Sequence, residues 1–332
     1  MKELIEKLVN AFGPSGYEDD IASVLKELIA PYVDEVHHDN LGNLIGIKRG
    51  NGGKKIMLAA HMDEIGVIVT HIDENGFLRF SNIGGLNPFG LIARRVRFAD
   101  GTVGVIHHEK LDNIRDLNLR KMYIDIGCST KEEAEAKVSI GATAVIHEGV
   151  DLLGSRLTSK VLDNRAGCAV LVAAAQIAPK TNNEIYYVFT TQEEVGTRGA
   201  KTAAFGIDPD LGIAIDVTPT GDTPEAHRMS VSLGKGAAIK VKDSTIVTHP
   251  KVKAFLTEIA SANDIPYQFE ILDGGGTDAG PIHLTREGVP TGAISVPCRY
   301  VHSASEMIDL NDFDACVQLL VGAITADLSA RF

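Results

Sequence analysis

Ile185-Tyr186-Tyr187-Val188-Phe189-Thr190-Thr191-Gln192-Glu193-Glu194-Val195-Gly196 is a run of β-branched and aromatic residues that ends in two adjacent carboxylates. The apolar part reads as a strand buried on both faces. Two acids side by side do not belong in such an interior unless a metal ion, or a proton shared in catalysis, neutralises them. Alternatively, the strand simply ends at a solvated acidic turn.

The same pattern recurs along the chain. Ile56–Ala60 runs into His61 and Asp63, Leu211–Ile215 into Asp216, and Gly292–Val296 ends shortly before His302. In open α/β sheets ligands bind beyond the carboxyl ends of the strands. If these strands are parallel neighbours, the four endings converge on one edge. One acid at a strand end is commonplace; the recurrence favours a site. The converging groups are two His and several carboxylates without thiols, a set that suits Zn²⁺, Co²⁺ or Mn²⁺ and argues against a structural zinc site. They exceed what one tetrahedral ion needs. Two ions about 3.5–4 Å apart, bridged by a carboxylate, would use them all. Asp163, just ahead of the Ala-rich helix Ala166 to Ala178, is the natural bridge because a carboxylate is favoured at a helix N-terminus; a simple helix cap is the alternative.

The 332 residues, 44% hydrophobic and 23% charged, can bury a large core in one or two domains. The net charge of −12 argues against nucleic acid or an anionic membrane as partner. No run approaches the roughly 18 apolar residues of a membrane span. Met1 to Lys7 has no signal-peptide core, so a cytoplasmic protein is expected. Cys128, Cys168, Cys298 and Cys316 form no CxxC pair, which disfavours thiol-rich zinc sites and a disulfide framework.

Gly66 to about Ser155 has a different texture: short strands, frequent glycines and a hairpin turn at Asp73-Glu74-Asn75-Gly76. Residues 67–156 read as an inserted β-rich barrel or sandwich, and 1–66 with 157–332 as an α/β domain with a largely parallel sheet flanked by helices. Within these, Ser15 with Glu18 reads as a capping box, and Thr130 to Val138 as a helix capped by Ser129.

His61-Met62-Asp63, Leu162-Asp163-Asn164-Arg165-Ala166-Gly167, Glu193-Glu194-Val195-Gly196, Asp216 and Val301-His302-Ser303 follow one another in an order that resembles the motifs of the M42 metallo-aminopeptidases. The resemblance covers essentially the whole chain and departs at no metal position. It implies a zinc-peptidase-like catalytic domain with two divalent ions, Zn²⁺ or Co²⁺ first and Mn²⁺ next. One would be held by His61, Asp163 and Asp216, the other by Asp163, Glu194 and His302. Asp63 would accept the second ring N–H of His61. Glu193 would be the general base and acid of a water between the ions. Peptides would be the substrates. The inserted domain would be a dimerisation module, in a homo-oligomer that extends in some relatives to a dodecamer.

Three further residues are candidates for substrate binding: Arg299, just before His302; Asp278, in the glycine loop Gly274–Gly280; and His283, which follows that loop. The loop lacks the lysine and spacing of a Walker motif, and no Gly-x-Ser-x-Gly elbow is present. His227 reads as a solvated loop residue. A glycosidase, a label some relatives carry, gives the histidines no task, and a chain with no Trp and 5% aromatics is poorly equipped for sugar stacking. A non-catalytic metal-binding oligomer has no use for an unliganded base such as Glu193.

Overall fold

Glu184–Thr190 forms a strand in the computed structural model, which describes residues 1–329 and 331–332. Beside it lies Lys55–His61, then Leu211–Thr218, then Thr291–Arg299. All three pairings are parallel, with Thr190 opposite His61 and Asp216 opposite Ser295. The ends of these strands therefore open on one edge of the sheet. Alternation along each strand divides the two faces. Ile56, Leu58, Tyr187 and Phe189 pack with the helices Lys2–Asn10, Asp19–Ile29, Leu162–Ile177 and Leu310–Thr325. Met57, Ala59, Tyr186 and Val188 pack with the helix Arg198–Ile207. A slip of one residue would exchange the two sets and turn the terminal side chains away from one another, so burial of both faces also fixes the site.

Among the described residues this sheet carries 11 strands. Leu44–Lys48 adds antiparallel to Glu184–Thr190, while Ala237–Lys242 and Glu306–Asp309 add antiparallel to Thr291–Arg299. The hydrophobic pattern discloses neither of the last two. Ala237–Lys242 carries the buried Lys240, and Glu306–Asp309 is four residues with an acid at each end.

The insert is a closed barrel rather than a sandwich. Its strands are Gly66–Ile72, Leu78–Ile83, Arg95–Phe98, Val103–His108, Met122–Asp125 and Thr143–Ile146, around a core that includes Val67, Leu78, Ile106 and Ile124. The hairpin Asp151–Leu153 and Arg156–Ser159, whose first strand falls inside the expected 67–156 span, pairs with Glu306–Asp309 and so extends the large sheet. The helix expected over Thr130 to Val138 is shorter, Lys131–Glu135, and its cap is Thr130, whose hydroxyl accepts the Glu133 N–H. No helix among the described residues is long and apolar enough to cross a membrane.

Candidate active site

His61 ends its strand with the ring buried. Nδ1 lies 3.2 Å from the Asp63 carbonyl and 3.5 Å from Asp63 Oδ1, so the nearer partner is backbone and not the carboxylate expected from the sequence. Nε2 faces Asp163 Oδ1 at 3.0 Å and Asp216 Oδ1 at 3.7 Å. The Asp63 carboxylate has a second task. It accepts the N–H of Glu193 at 2.9 Å, the N–H of Glu194 at 3.2 Å and the Ser15 hydroxyl at 2.6 Å.

Those bonds explain how two adjacent acids part company. They do not sit on extended backbone: the strand stops at Thr190, and Gln192 turns the chain with a φ of 55°. The Glu193 carbonyl then accepts the N–H groups of Gly196 and Thr197. Glu18 supports the same turn by accepting the N–H of Gln192 at 3.1 Å and of Gly16 at 2.8 Å. Ser15 and Glu18 are therefore props of the acidic turn and not a capping box; the helix Asp19–Ile29 has no side-chain cap bond.

Asp163 and Asn164 have non-helical backbone angles ahead of the regular part of Leu162–Ile177. Asn164 is the cap, accepting the Gly167 N–H at 2.9 Å and donating to the Ile215 carbonyl at 2.8 Å. That releases the Asp163 carboxylate. Its Oδ1 faces His61, and its Oδ2 faces His302 Nε2 at 3.3 Å. His302 Nε2 is also 3.3 Å from Glu194 Oε2. Two groups of donor atoms result, His61–Asp163–Asp216 and Asp163–Glu194–His302, each with its atoms within 4.8 Å of one another. Asp163 belongs to both through different oxygens.

The electrostatics suit cations. Among the described residues no Lys or Arg forms an ion pair with Asp163, Glu193, Glu194 or Asp216; Asp163, Glu194 and Asp216 pair with histidines alone. Glu194 Oε1 is buried without a partner. With protons as the sole counter-charge, burial raises the carboxyl groups of Asp216, Glu193 and Glu194, and like-charged neighbours add to this. Asp163 goes the other way: burial opposes ionisation, but His302 and His61 outweigh it and hold the carboxyl well below its usual range. For His302, burial is likewise outweighed by Asp163 and Glu194, which push the imidazole up to about 11. A donor set of oxygen and imidazole nitrogen, with an orphaned buried oxygen and no Lys or Arg paired to it among the described residues, fits divalent ions.

A cleft of about 650 Å³ opens over these groups, walled in part by Val217, Pro219, Met229, Leu272 and Val301. One of its wall residues was not singled out by sequence. Lys240 is buried and paired with Glu270 and Asp243. His227 lines the rim of the cleft 3.7 Å from Asp273, and its side chain is largely solvent-exposed, as expected for a loop residue. The barrel also reaches the site. A Cβ on Gly85 would stand 2.9 Å from His302 Nδ1, and one on Gly84, whose φ is 72°, 3.1 Å from Glu194 Oε2. Only backbone without side chains fits there.

The three substrate-binding candidates separate. Asp278 is buried beside the site, where its Oδ2 accepts the Thr190 hydroxyl at 2.5 Å and burial, opposed in part by His61, raises its carboxyl to about 6. His283 Nδ1 turns to the Ala279 carbonyl of its own short helix, and the ring is not part of the cleft wall. Arg299 also stays out of the wall. It grips Asp222 with two bonds of 2.9 and 2.7 Å, and Asp222 in turn takes the Thr220 hydroxyl and the Leu233 N–H. Its partner is thus Asp222, and the pair ties down the loop that supplies Pro219, Thr220, His227 and Met229 to the wall. Arg299→Met should raise KM about tenfold with a smaller change in kcat, since a charge-assisted bond contributes about 1.5–3 kcal/mol; steady-state kinetics with an unchanged KM would remove this role.

Residues 42–319 match the family model described as M42 glutamyl aminopeptidase. A putative aminopeptidase of Acetivibrio thermocellus is 54% identical over 325 residues, covering 98% of either chain. Aminopeptidase APDkam598 of the archaeon Desulfurococcus kamchatkensis superposes with a TM-score of 0.94 at 42% identity, over 97% of this chain and 93% of that one. The TET1 peptidase of Pyrococcus horikoshii, which can assemble into a tetrahedron or a large octahedral shell, gives 0.87 at 32% identity, over 97% and 98%. A Thermotoga maritima structure named as an endoglucanase gives 0.83 at 31%, over 97% and 96%. The fold and the family match define a peptidase hydrolase. The chain belongs to the M42 family of aminopeptidases.

Proposed function

We propose that this protein is an aminopeptidase that uses two divalent ions, Zn²⁺ or Co²⁺ foremost and Mn²⁺ as a further candidate, to remove N-terminal residues from peptides. The observation that carries the reading is the sharing of Asp163 between two donor groups, one oxygen to each. His61, Asp163 and Asp216 would hold one ion, and Asp163, Glu194 and His302 the other. Bound there, the pair would supply Lewis acidity to a scissile carbonyl and acidify a water.

The remaining work falls to the chain. Glu193 belongs to neither donor group, which leaves its carboxylate free to act as a base. It takes the proton of the attacking water and returns it to the leaving amine. Asp63 keeps it in place through its backbone N–H. Asp278 adds negative charge behind Glu193 without occupying the cleft. The acid-rich floor suits a substrate's free α-ammonium group, which restricts cleavage to chain ends.

A panel of aminoacyl p-nitroanilides tests this. Hydrolysis of free but not N-acetylated substrates is expected, with loss on chelation and recovery on adding Zn²⁺, Co²⁺ or Mn²⁺. Full activity after exhaustive chelation would contradict it. Among the described residues no Phe or Tyr lines the cleft, and the chain has no Trp, so sugar stacking has no platform; no reducing sugar should be released from cellulose. The same proposal includes a cytoplasmic location, on four unpaired cysteines, and a homo-oligomer. Val103 and Val105 face outward on a barrel strand, and Phe89, Ile114 and Ile140 are exposed on the same insert. These support the barrel as the subunit-contact module.

A further inference from the structure

Glu306 opens the strand Glu306–Asp309 with 1% of its surface exposed. Its carboxylate is committed to two backbone amides. Oε2 accepts the N–H of Asp163 at 2.8 Å, and Oε1 accepts the N–H of His302 at 2.8 Å. Among the described residues no Lys or Arg pairs with it. Two of the three side chains in the Asp163–Glu194–His302 group thus hang from backbone pinned to one buried side chain.

The segment around His302 needs such a pin. It lies in a turn between Thr291–Arg299 and Glu306–Asp309, and both Tyr300 and His302 have left-handed φ values, 60° and 61°. Residues other than glycine seldom adopt that conformation unless their surroundings impose it. Asp163 likewise sits on irregular backbone. In the other donor group, His61 and Asp216 lie within regular parallel strands and owe their positions to sheet register. Only Asp163 connects that group to Glu306.

We propose that Glu306 is a positioning residue that sets the separation of Asp163 from His302, and thereby controls the affinity of the Asp163–Glu194–His302 locus for its ion more than that of its neighbour. The inference rests on the two-ion reading above. Glutamine is a discriminating substitute. It keeps the shape but offers one oxygen, and turns an NH₂ group toward the second amide N–H. The mismatch drives the two backbone segments apart without removing a ligand. Supporting residues of this kind command roughly 10–100-fold in metal affinity.

The test is titration of the metal-free full-length protein with Zn²⁺, by calorimetry and by metal content after equilibrium dialysis. Wild type should take up two ions. Glu306→Gln should bind the first with near wild-type affinity and the second roughly 10–100-fold more weakly. Asp216→Asn should weaken the opposite ion, and the double variant should lose both. Two ions bound by Glu306→Gln as tightly as by wild type would overturn the inference, and so would equal weakening of both. If Glu306→Gln does not fold, Glu306→Asp is measured in its place. Its shorter carboxylate reaches one amide, so the same selective loss is expected, and unchanged or uniform binding overturns the inference. Uptake of fewer than two ions by wild type would overturn the two-ion reading and this inference with it.

Discussion

Glu193→Gln should retain both ions and lower kcat by roughly 10²–10⁴-fold, the usual contribution of a positioned general base. The substitution is nearly isosteric, and the bond from Asp63 goes to the residue 193 backbone N–H, so the turn persists. Neither donor group includes Glu193, so metal content should not change. What is lost is the ability to accept a proton, and KM should move little. Near-normal turnover with full metal content would remove Glu193 from the reaction. A fall in activity that tracks metal loss would instead make it a ligand.

Asp163→Asn should have a different signature, loss of both ions together. Its two oxygens face two histidines, at 3.0 and 3.3 Å. Asparagine keeps one acceptor and presents an NH₂ group to the other side, so at least one locus loses its anionic donor and the shared bridge is gone. The fall in affinity should exceed the roughly 10–100-fold attached to supporting residues. The folded protein should survive, because Asn164, and not Asp163, caps the helix. Metal analysis after dialysis, with circular dichroism as the folding control, checks both halves. Retention of two ions by this variant would exclude the bridging role.

The sheet and its site were legible for one physical reason. Strands buried on both faces are unbroken apolar runs, so a His or Asp at the end of such a run marks where burial stops. Four such ends, at His61, Glu193, Asp216 and near His302, lie together because their strands are parallel neighbours. The residues that hold this site were harder to read. Glu306 and Asp63 act on the backbone N–H groups of Asp163, Glu193 and Glu194, far away in the chain, and no local pattern announces that. Ser15 and Glu18 have the spacing of a capping box, yet tertiary contacts with Asp63 and Gln192 claim both side chains. Arg299 stands three residues before His302, but its charge is used by Asp222, which fastens a loop of the cleft wall. Lys240 broke the apolar pattern of its strand because Glu270 and Asp243 pair with it inside the protein. Gly84 and Gly85, within a barrel that looked separate, press against Glu194 and His302.

Asp163 as the shared ligand of two ions is the claim on which the rest depends. Anomalous diffraction from crystals of the Zn²⁺-loaded protein, recorded on either side of the zinc absorption edge, addresses it directly. Two peaks about 3.5–4 Å apart are predicted, one among His61, Asp163 and Asp216 and the other among Asp163, Glu194 and His302. A single peak at full zinc loading, or a pair that Asp163 does not bridge, would contradict the account.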